Sequence, residues 1–220
     1  MDGFVNSLLQ FFYPAHCRNC QIMLPKGIVF CGDCAASIKP VVSIFLPLTK
    51  AHSLKVFSVS AYQDPLKGLL LKKFSGDIVA SKQLGKLMVD MSSLHELSVD
   101  VIVPIPLHWT RYARRGFNQA CEIGCVIGKE IDRPVMPALR RCKRTVFQSR
   151  LSSELRQENV KDAFALSRLH QMFRKNSLEG KDILLVDDLC TTGATLRSAA
   201  KVLLACKPKS ITALVACRTI

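Results

Sequence analysis

No run in this 220-residue chain approaches the roughly 20 uninterrupted apolar residues that a membrane-spanning helix requires, so no such span is expected. Internal repeats and low-complexity tracts are absent as well, which leaves ordinary globular architecture. The chain opens Met1-Asp2 without a basic leader stretch, and the expectation is a protein that is neither exported nor embedded. Acids are scarce. Lys plus Arg outnumber Asp plus Glu by 31 to 17, a formal net charge of +14. Such an excess suits phosphate-bearing partners, from phosphosugars to nucleic acid, without choosing between them, and plain solubility accounts for it equally well.

What is plentiful is cysteine, at ten residues. A disulfide framework belongs to short exported chains, whereas four of these cysteines form a metal-like cluster, so reduced thiols and a cytoplasmic location are expected. The length accommodates one ordinary domain and a small appendage. We place the appendage in residues 1–45 and the larger domain in residues 46–220.

Along the chain, Phe4, Val5, Leu8, Leu9, Phe11 and Phe12 have helical spacing with one apolar face, which fits either docking on the protein or weak contact with a membrane surface. Residues 14–34 are turn-rich and aperiodic, as in a module held by metal rather than by a core. Residues 55–62 alternate as a strand, and Leu84, Leu87, Met88 and Met91 mark a helix face. Residues 99–105 form an apolar strand ending in Pro104-Ile105-Pro106, and a helix restarts at Asn118 with Ile123, Val126 and Ile127. Residues 140–159 carry Arg140, Arg141, Lys143, Arg144, Arg150 and Arg156 without periodicity and are expected to be a basic loop. Then come a strand at 183–186, a helix at 195–205 with Leu196, Ala199, Ala200 and Leu203 on one side, and a strand at 211–217. Alternating strands and helices give an α/β class with a parallel-rich sheet flanked by helices.

Cys17-Arg-Asn-Cys20 and Cys31-Gly-Asp-Cys34 are two Cys-x-x-Cys knuckles, each able to offer two thiolates to one tetrahedral ion. Gly32 relaxes the second knuckle, and Pro14, Pro25 and Gly27 punctuate the connecting turns. Four such ligands close the shell, so a structural zinc is expected. A redox dithiol would need a single pair at the start of a helix after a strand.

The stretch Ile183-Leu-Leu-Val-Asp187-Asp188-Leu-Cys190-Thr191-Thr192-Gly193-Ala194-Thr195 is a buried strand, two acids, then a Thr/Gly bend opening a helix. Ligands of open α/β sheets sit at the carboxyl ends of strands, and such a bend turns backbone N–H groups and a helix N-terminus toward an anion. These thirteen residues resemble the phosphoribosyl pyrophosphate (PRPP) fingerprint of the type I phosphoribosyltransferases. The resemblance implies that Asp187 and Asp188 address the ribose hydroxyls, directly or through Mg²⁺ and water. Cys190, Thr191, Thr192, Gly193, Ala194 and Thr195 would cradle the 5′-phosphate. Pyrophosphate is then expected at the turn containing Pro104 and Ile105, with Arg111, Arg114 or Arg115 neutralising it. A solvated basic face is the plainer account of those arginines.

The order of motifs resembles the ComF family of competence proteins over nearly the whole chain. It comprises the Cys-x-x-Cys pairs, Lys73-Phe74 with Gly76-Asp77, Val103-Pro104-Ile105-Pro106, Arg115-Gly116-Phe117-Asn118-Gln119, Lys143 and Thr145 before Gln148, Arg156 with Asn159, and Val186-Asp187-Asp188. The resemblance implies a zinc module on a phosphoribosyltransferase-like domain and a role in natural transformation, where single-stranded DNA reaches the cytoplasm. Glutamine-dependent amido transfer does not fit, since it needs a glutaminase domain with an N-terminal Cys nucleophile.

Two functions stay open. One is a PRPP-binding protein that handles single-stranded DNA beside the competence machinery, with Phe117 and Phe147 as stacking faces or ordinary core. The other is an active transferase that joins ribose 5-phosphate to ammonia or a nucleobase, the loop at 140–159 closing over the site. Cys121, Cys125, Cys206 and Cys217 are expected in the core. Cys190 is expected to be structural too, unless N–H groups of the phosphate bend lower its pKa.

Overall fold

The structure, a computed structural model, describes residues 15–72, 77–143, 163–168 and 177–219. The apolar face from Phe4 to Phe12, Pro14, the Lys73-Phe74 pair with Gly76, and Arg144, Thr145, Phe147, Gln148, Arg150, Arg156 and Asn159 lie outside the described residues.

Two short strands, β1 (Ala15–His16) and β2 (Met23–Leu24), and the helix α1 (Gly32–Ala36) precede β3 (Ile44–Pro47) and β4 (Ser53–Ala61). Helices α2 (Leu66–Leu71) and α3 (Ile78–Asp90) lead to β5 (Val101–Pro104), α4 (Trp109–Arg115) and α5 (Gln119–Glu130). A small antiparallel pair, β6 (Leu139–Arg141) and β7 (Phe164–Leu166), is followed by β8 (Asp182–Cys190), α6 (Ala194–Leu204) and β9 (Ser210–Arg218).

The main sheet has the order β3-β4-β9-β8-β5; β3 is antiparallel to β4 and the other pairings are parallel. Strand alternation divides the core into two faces. Ile102, Leu184, Val186 and Leu214 pack with Leu84 and Met88 of α3 and Ile123 and Ile127 of α5. Val101, Val103, Ile183, Leu185, Ala213 and Val215 pack with Leu196, Ala199, Ala200 and Leu203 of α6. Each such Leu or Ile contributes roughly 1.5–3 kcal/mol by leaving water. Helices α3 and α5 approach so closely that a Cβ on Gly85 would stand 2.9 Å from the Val126 Cβ. Their starts are capped: the Asp77 carboxylate accepts from the Ala80 N–H at 2.9 Å, and the Asn118 side-chain oxygen accepts from the Ala120 N–H at 3.2 Å.

Several expectations change. Strand β8 runs well past residue 186, because β9 continues to pair with it as far as Cys190 and Arg218. Arg140 and Arg141 belong to a strand rather than a loop, since β7 supplies a partner from beyond the basic segment. The Cys-rich segment has apolar contacts of its own: Cys17, Val29, Phe30, Cys34 and Ile38 are buried in the same cluster as α2 and α3. Its second knuckle opens α1 instead of lying in a loop, and no left-handed backbone calls for a glycine at Gly32, whereas Gly27 does turn at φ 91°. Met91 caps α3 half-exposed, Cys125 is exposed and Cys121 and Cys206 are half-buried; of those four cysteines Cys217 alone is fully buried.

Candidate phosphoribosyl site and metal centre

Cys17, Cys20, Cys31 and Cys34 come together with all four sulfurs within 4.8 Å of one another. Four sulfurs at about 2.3 Å from one ion would stand about 3.8 Å apart, and Cys20 Sγ lies 3.6 Å from Cys31 Sγ. Donors already point at the sulfurs: the Cys31 N–H at Cys17 Sγ (3.4 Å) and the Asn19 side-chain amide at Cys34 Sγ (3.3 Å). Burial pushes the Cys17 thiol up, but the N–H groups of Cys31, Asn19 and Cys20 outweigh it and bring it down to about 6. At Cys20 the Ile22 N–H pulls downward and loses to the neighbouring Cys17, burial, and Cys31 and Cys34, which drive it to about 12. Sulfurs crowded this way resist collective ionisation until a cation joins them, so the donor set fits a closed structural zinc site.

The second site begins where β5 ends. Its last registered pair is Pro104 with Val186, and the Ile105 N–H donates to the Val186 carbonyl at 2.9 Å. Beyond that point β8 keeps, among the described residues, only β9 as a strand partner, and Asp187 and Asp188 lie half-buried on this carboxyl end. The Asp187 carboxylate accepts from the Asp188 N–H at 2.9 Å. The bend follows directly, with Thr191 exposed, Thr192 half-buried and Gly193 left-handed at φ 72°. The first intrahelical bond runs from the Arg197 N–H to the Gly193 carbonyl at 2.9 Å, so the N–H groups of Ala194, Thr195 and Leu196 precede the bonded turn.

Around the acids stand arginines. Burial lowers the pKa of Arg115, and the Asp188 charge opposes that effect. Burial also lowers Arg141, Arg111 adds repulsion, and Asp187 opposes both. Arg115 thus stands near Asp188 and Arg141 near Asp187, with Arg111 near Arg141, and the two half-buried guanidiniums of Arg115 and Arg141 would be relieved by an added anion. Pro104 and Ile105 are buried, and the Ile105 N–H is already committed to the sheet, so backbone donors for a ligand must come from farther along that turn.

A corner holds the arginines in place. Gly116 closes α4 in the left-handed conformation at φ 80°, with its N–H on the Tyr112 carbonyl at 2.8 Å. The Asn118 amide donates to the Ile105 carbonyl at 3.0 Å, tying α5 to the end of β5. Gln119, only 3% exposed, accepts from Arg115 Nη1 at 3.3 Å. The run Arg115-Gly116-Phe117-Asn118-Gln119 is therefore a helix-to-helix corner that aims Arg115 at Asp188.

A phosphoribosyl transferase domain model matches residues 135–219. The chain is 30% identical to competence protein F of Haemophilus influenzae over 196 residues, covering 85% of this chain and 83% of that protein. This chain belongs to the competence protein F family. Within it, competence protein ComFC of Bacillus subtilis is 36% identical over 67% of this chain and 57% of its own length. DNA utilization protein YhgH of Escherichia coli K12 is 30% identical over 93% of this chain and 84% of its own. The fold of this ComF-family chain is type I phosphoribosyltransferase-like, a parallel-rich sheet flanked by helices.

Two features of this family member escaped sequence reasoning as site elements. Arg141 reads in sequence as one more cation of a basic loop, and its strand appears only through pairing with β7. Gln119 stands four residues after Arg115, a spacing that signals a side-chain pair. Cys190 moves the other way. It is buried, and burial first, then the Asp187 charge, pushes its thiol up to about 11, outweighing Arg218, the Gly193 N–H and Arg197. The lowered pKa considered for it does not occur. Phe117 is half-buried, and among the described residues no helix is long and apolar enough to cross a membrane.

Proposed function

We propose that this chain binds PRPP at the carboxyl end of β8 and acts on single-stranded DNA entering the cytoplasm during natural transformation. The observation that carries the reading is the meeting of Asp187, Asp188 and the Thr191-to-Thr195 bend with Arg111, Arg115 and Arg141 at a sheet position where one neighbouring strand has ended. Carboxylates suit ribose hydroxyls, while the bend and the first turn of α6 suit the 5′-phosphate. The guanidiniums suit a pyrophosphate. Mg²⁺ shared between that pyrophosphate and the acidic pair would supply charge neutralisation. The DNA part rests on the relatives' names, competence protein and DNA utilization protein, together with a net charge of +14.

A second reading, active transfer of ribose 5-phosphate to ammonia or a nucleobase, is favoured by the three guanidiniums, since leaving pyrophosphate would need such neutralisation. Calorimetry with PRPP and Mg²⁺ tests the site: Asp187→Asn combined with Asp188→Asn should abolish binding, and unchanged binding discards the assignment. Pyrophosphate release measured with ammonia, bases and DNA separates the two readings. Release tied to one acceptor establishes transfer; PRPP binding without release supports the DNA-handling role.

A further inference from the structure

Helix α4 buries none of its residues, which is unusual for a helix beside a ligand site, because tertiary burial normally supplies helical stability. It is held instead by its ends. The His108 ring accepts from the Thr110 N–H, Gly116 closes the far end, and Arg115 is tied to Gln119 on the next helix. Along its length Arg111 and Arg115 share one side, four residues apart; Arg115 acts with Asp188, and Arg111 with Arg141 beside Asp187. Trp109 and Tyr112, three apart, share a different side, about 110° around the helix from the arginine pair, and are 71% and 53% exposed. Arg114 is exposed on the side of the helix away from the two aromatics, and α4 contains no acidic residue.

We infer that the outer side of α4 is a stacking platform for the bases of single-stranded DNA, with Trp109 and Tyr112 as the π-faces. The inference rests on the DNA reading above and supplies the surface for it. Large aromatics on a capped helix that carries arginines and no acid match a partner that offers flat apolar rings strung on negative charge. Duplex DNA offers the charge but keeps its bases stacked inside. A strand on this platform would also pass beside the proposed PRPP site, since the same seven-residue helix serves both.

Trp109 is the protein's single tryptophan, so intrinsic fluorescence reads this position and no other. Titration of the full chain with oligothymidylate of about 16 nucleotides should quench that emission, and a duplex of equal length should quench it less. Trp109→Ala and Tyr112→Ala, followed by anisotropy of a labelled oligonucleotide, should each weaken binding roughly five- to 150-fold. Both positions are exposed, and circular dichroism confirms that each variant is folded. If DNA binds while tryptophan emission and the Trp109→Ala affinity stay unchanged, the platform is wrong and the DNA reading survives. If no DNA binds even at low salt, both fail. Emission that changes with protein concentration in the absence of DNA, together with dimers in sedimentation, would make α4 a contact between copies and overturn the inference.

Discussion

A Cβ placed on Gly193 would stand 2.4 Å from Leu46 Cδ1, so the Thr/Gly bend after β8 rests directly on the edge strand β3. Glycine is required twice at this position, once by φ of 72° and once by that contact. Gly193→Ala should cost roughly 1–2 kcal/mol from the left-handed backbone alone, with the steric term added. It should also weaken PRPP binding, because relief of the clash displaces the bend. In urea unfolding the double variant with Leu46→Ala should fall short of the sum of the two single changes, since the smaller side chain removes the collision.

The Cys-rich segment is fastened to the larger body through Arg18. Its Nε donates to Gln83 Oε1 at 2.8 Å, and its Nη1 lies 3.7 Å from Asp77 Oδ2. Arg18→Ala should cost about 1 kcal/mol, as both partners are partly solvated. Chelation should act more strongly. Metal analysis is expected to give about one zinc per chain, and its removal should release the buried Cys17 and Cys34 and raise hydrogen exchange in α3. Free thiols in the metal-free protein with unchanged exchange would count against a structural ion.

The fold carries an acid-sensitive element at the opposite end of β8. The buried Asp182 carboxylate accepts from Lys209 Nζ (2.8 Å), Ser210 Oγ (2.6 Å) and Ser98 Oγ (2.8 Å). Lys209 and Ser210 lower its pKa, burial opposes them, Ser98 assists, and the value falls from the ordinary 3.8 to about 2. The folded state therefore favours the ionised form. Its stabilising contribution is complete above pH near 4 and disappears as pH falls toward 2. Asp182→Asn should reduce stability at neutral pH and flatten the pH dependence of unfolding within that window, measured by denaturant midpoints from pH 2 to 5.

The legible parts of this molecule were those whose signal is local. Leu196, Ala199, Ala200 and Leu203 show a helix face because burial repeats every turn, and the four knuckle cysteines declare their ligand chemistry by spacing. Helix α4 was illegible because it buries nothing, so no apolar period marks it. The strand at Arg140 and Arg141 depends on a partner more than twenty residues away. Similarly, β8 runs past its apolar stretch because β9 supplies ladder bonds that composition near the aspartates does not announce. Of the site, the acidic pair and the bend could be read directly; the corner that aims Arg115 needed three dimensions.

That corner yields the last prediction. Gln119 is nearly sealed from solvent, and its side-chain oxygen takes the hydrogen bond from Arg115 that fixes the guanidinium near Asp188. On the proposed PRPP reading, Gln119 is a positioning residue that acts on the ligand only through Arg115. Gln119→Met keeps the volume but removes the acceptor, and PRPP affinity should fall by about tenfold, the worth of one well-placed hydrogen bond to a charge. A second loss should not appear when Arg115→Ala is added, because the two residues form one unit. Gln119→Glu keeps an acceptor at the same reach and should restore orientation of the arginine, though its added charge competes with the pyrophosphate. Calorimetry with PRPP and with pyrophosphate alone separates these effects. Additive losses for Gln119→Met and Arg115→Ala would show that Gln119 supports the fold rather than the arginine.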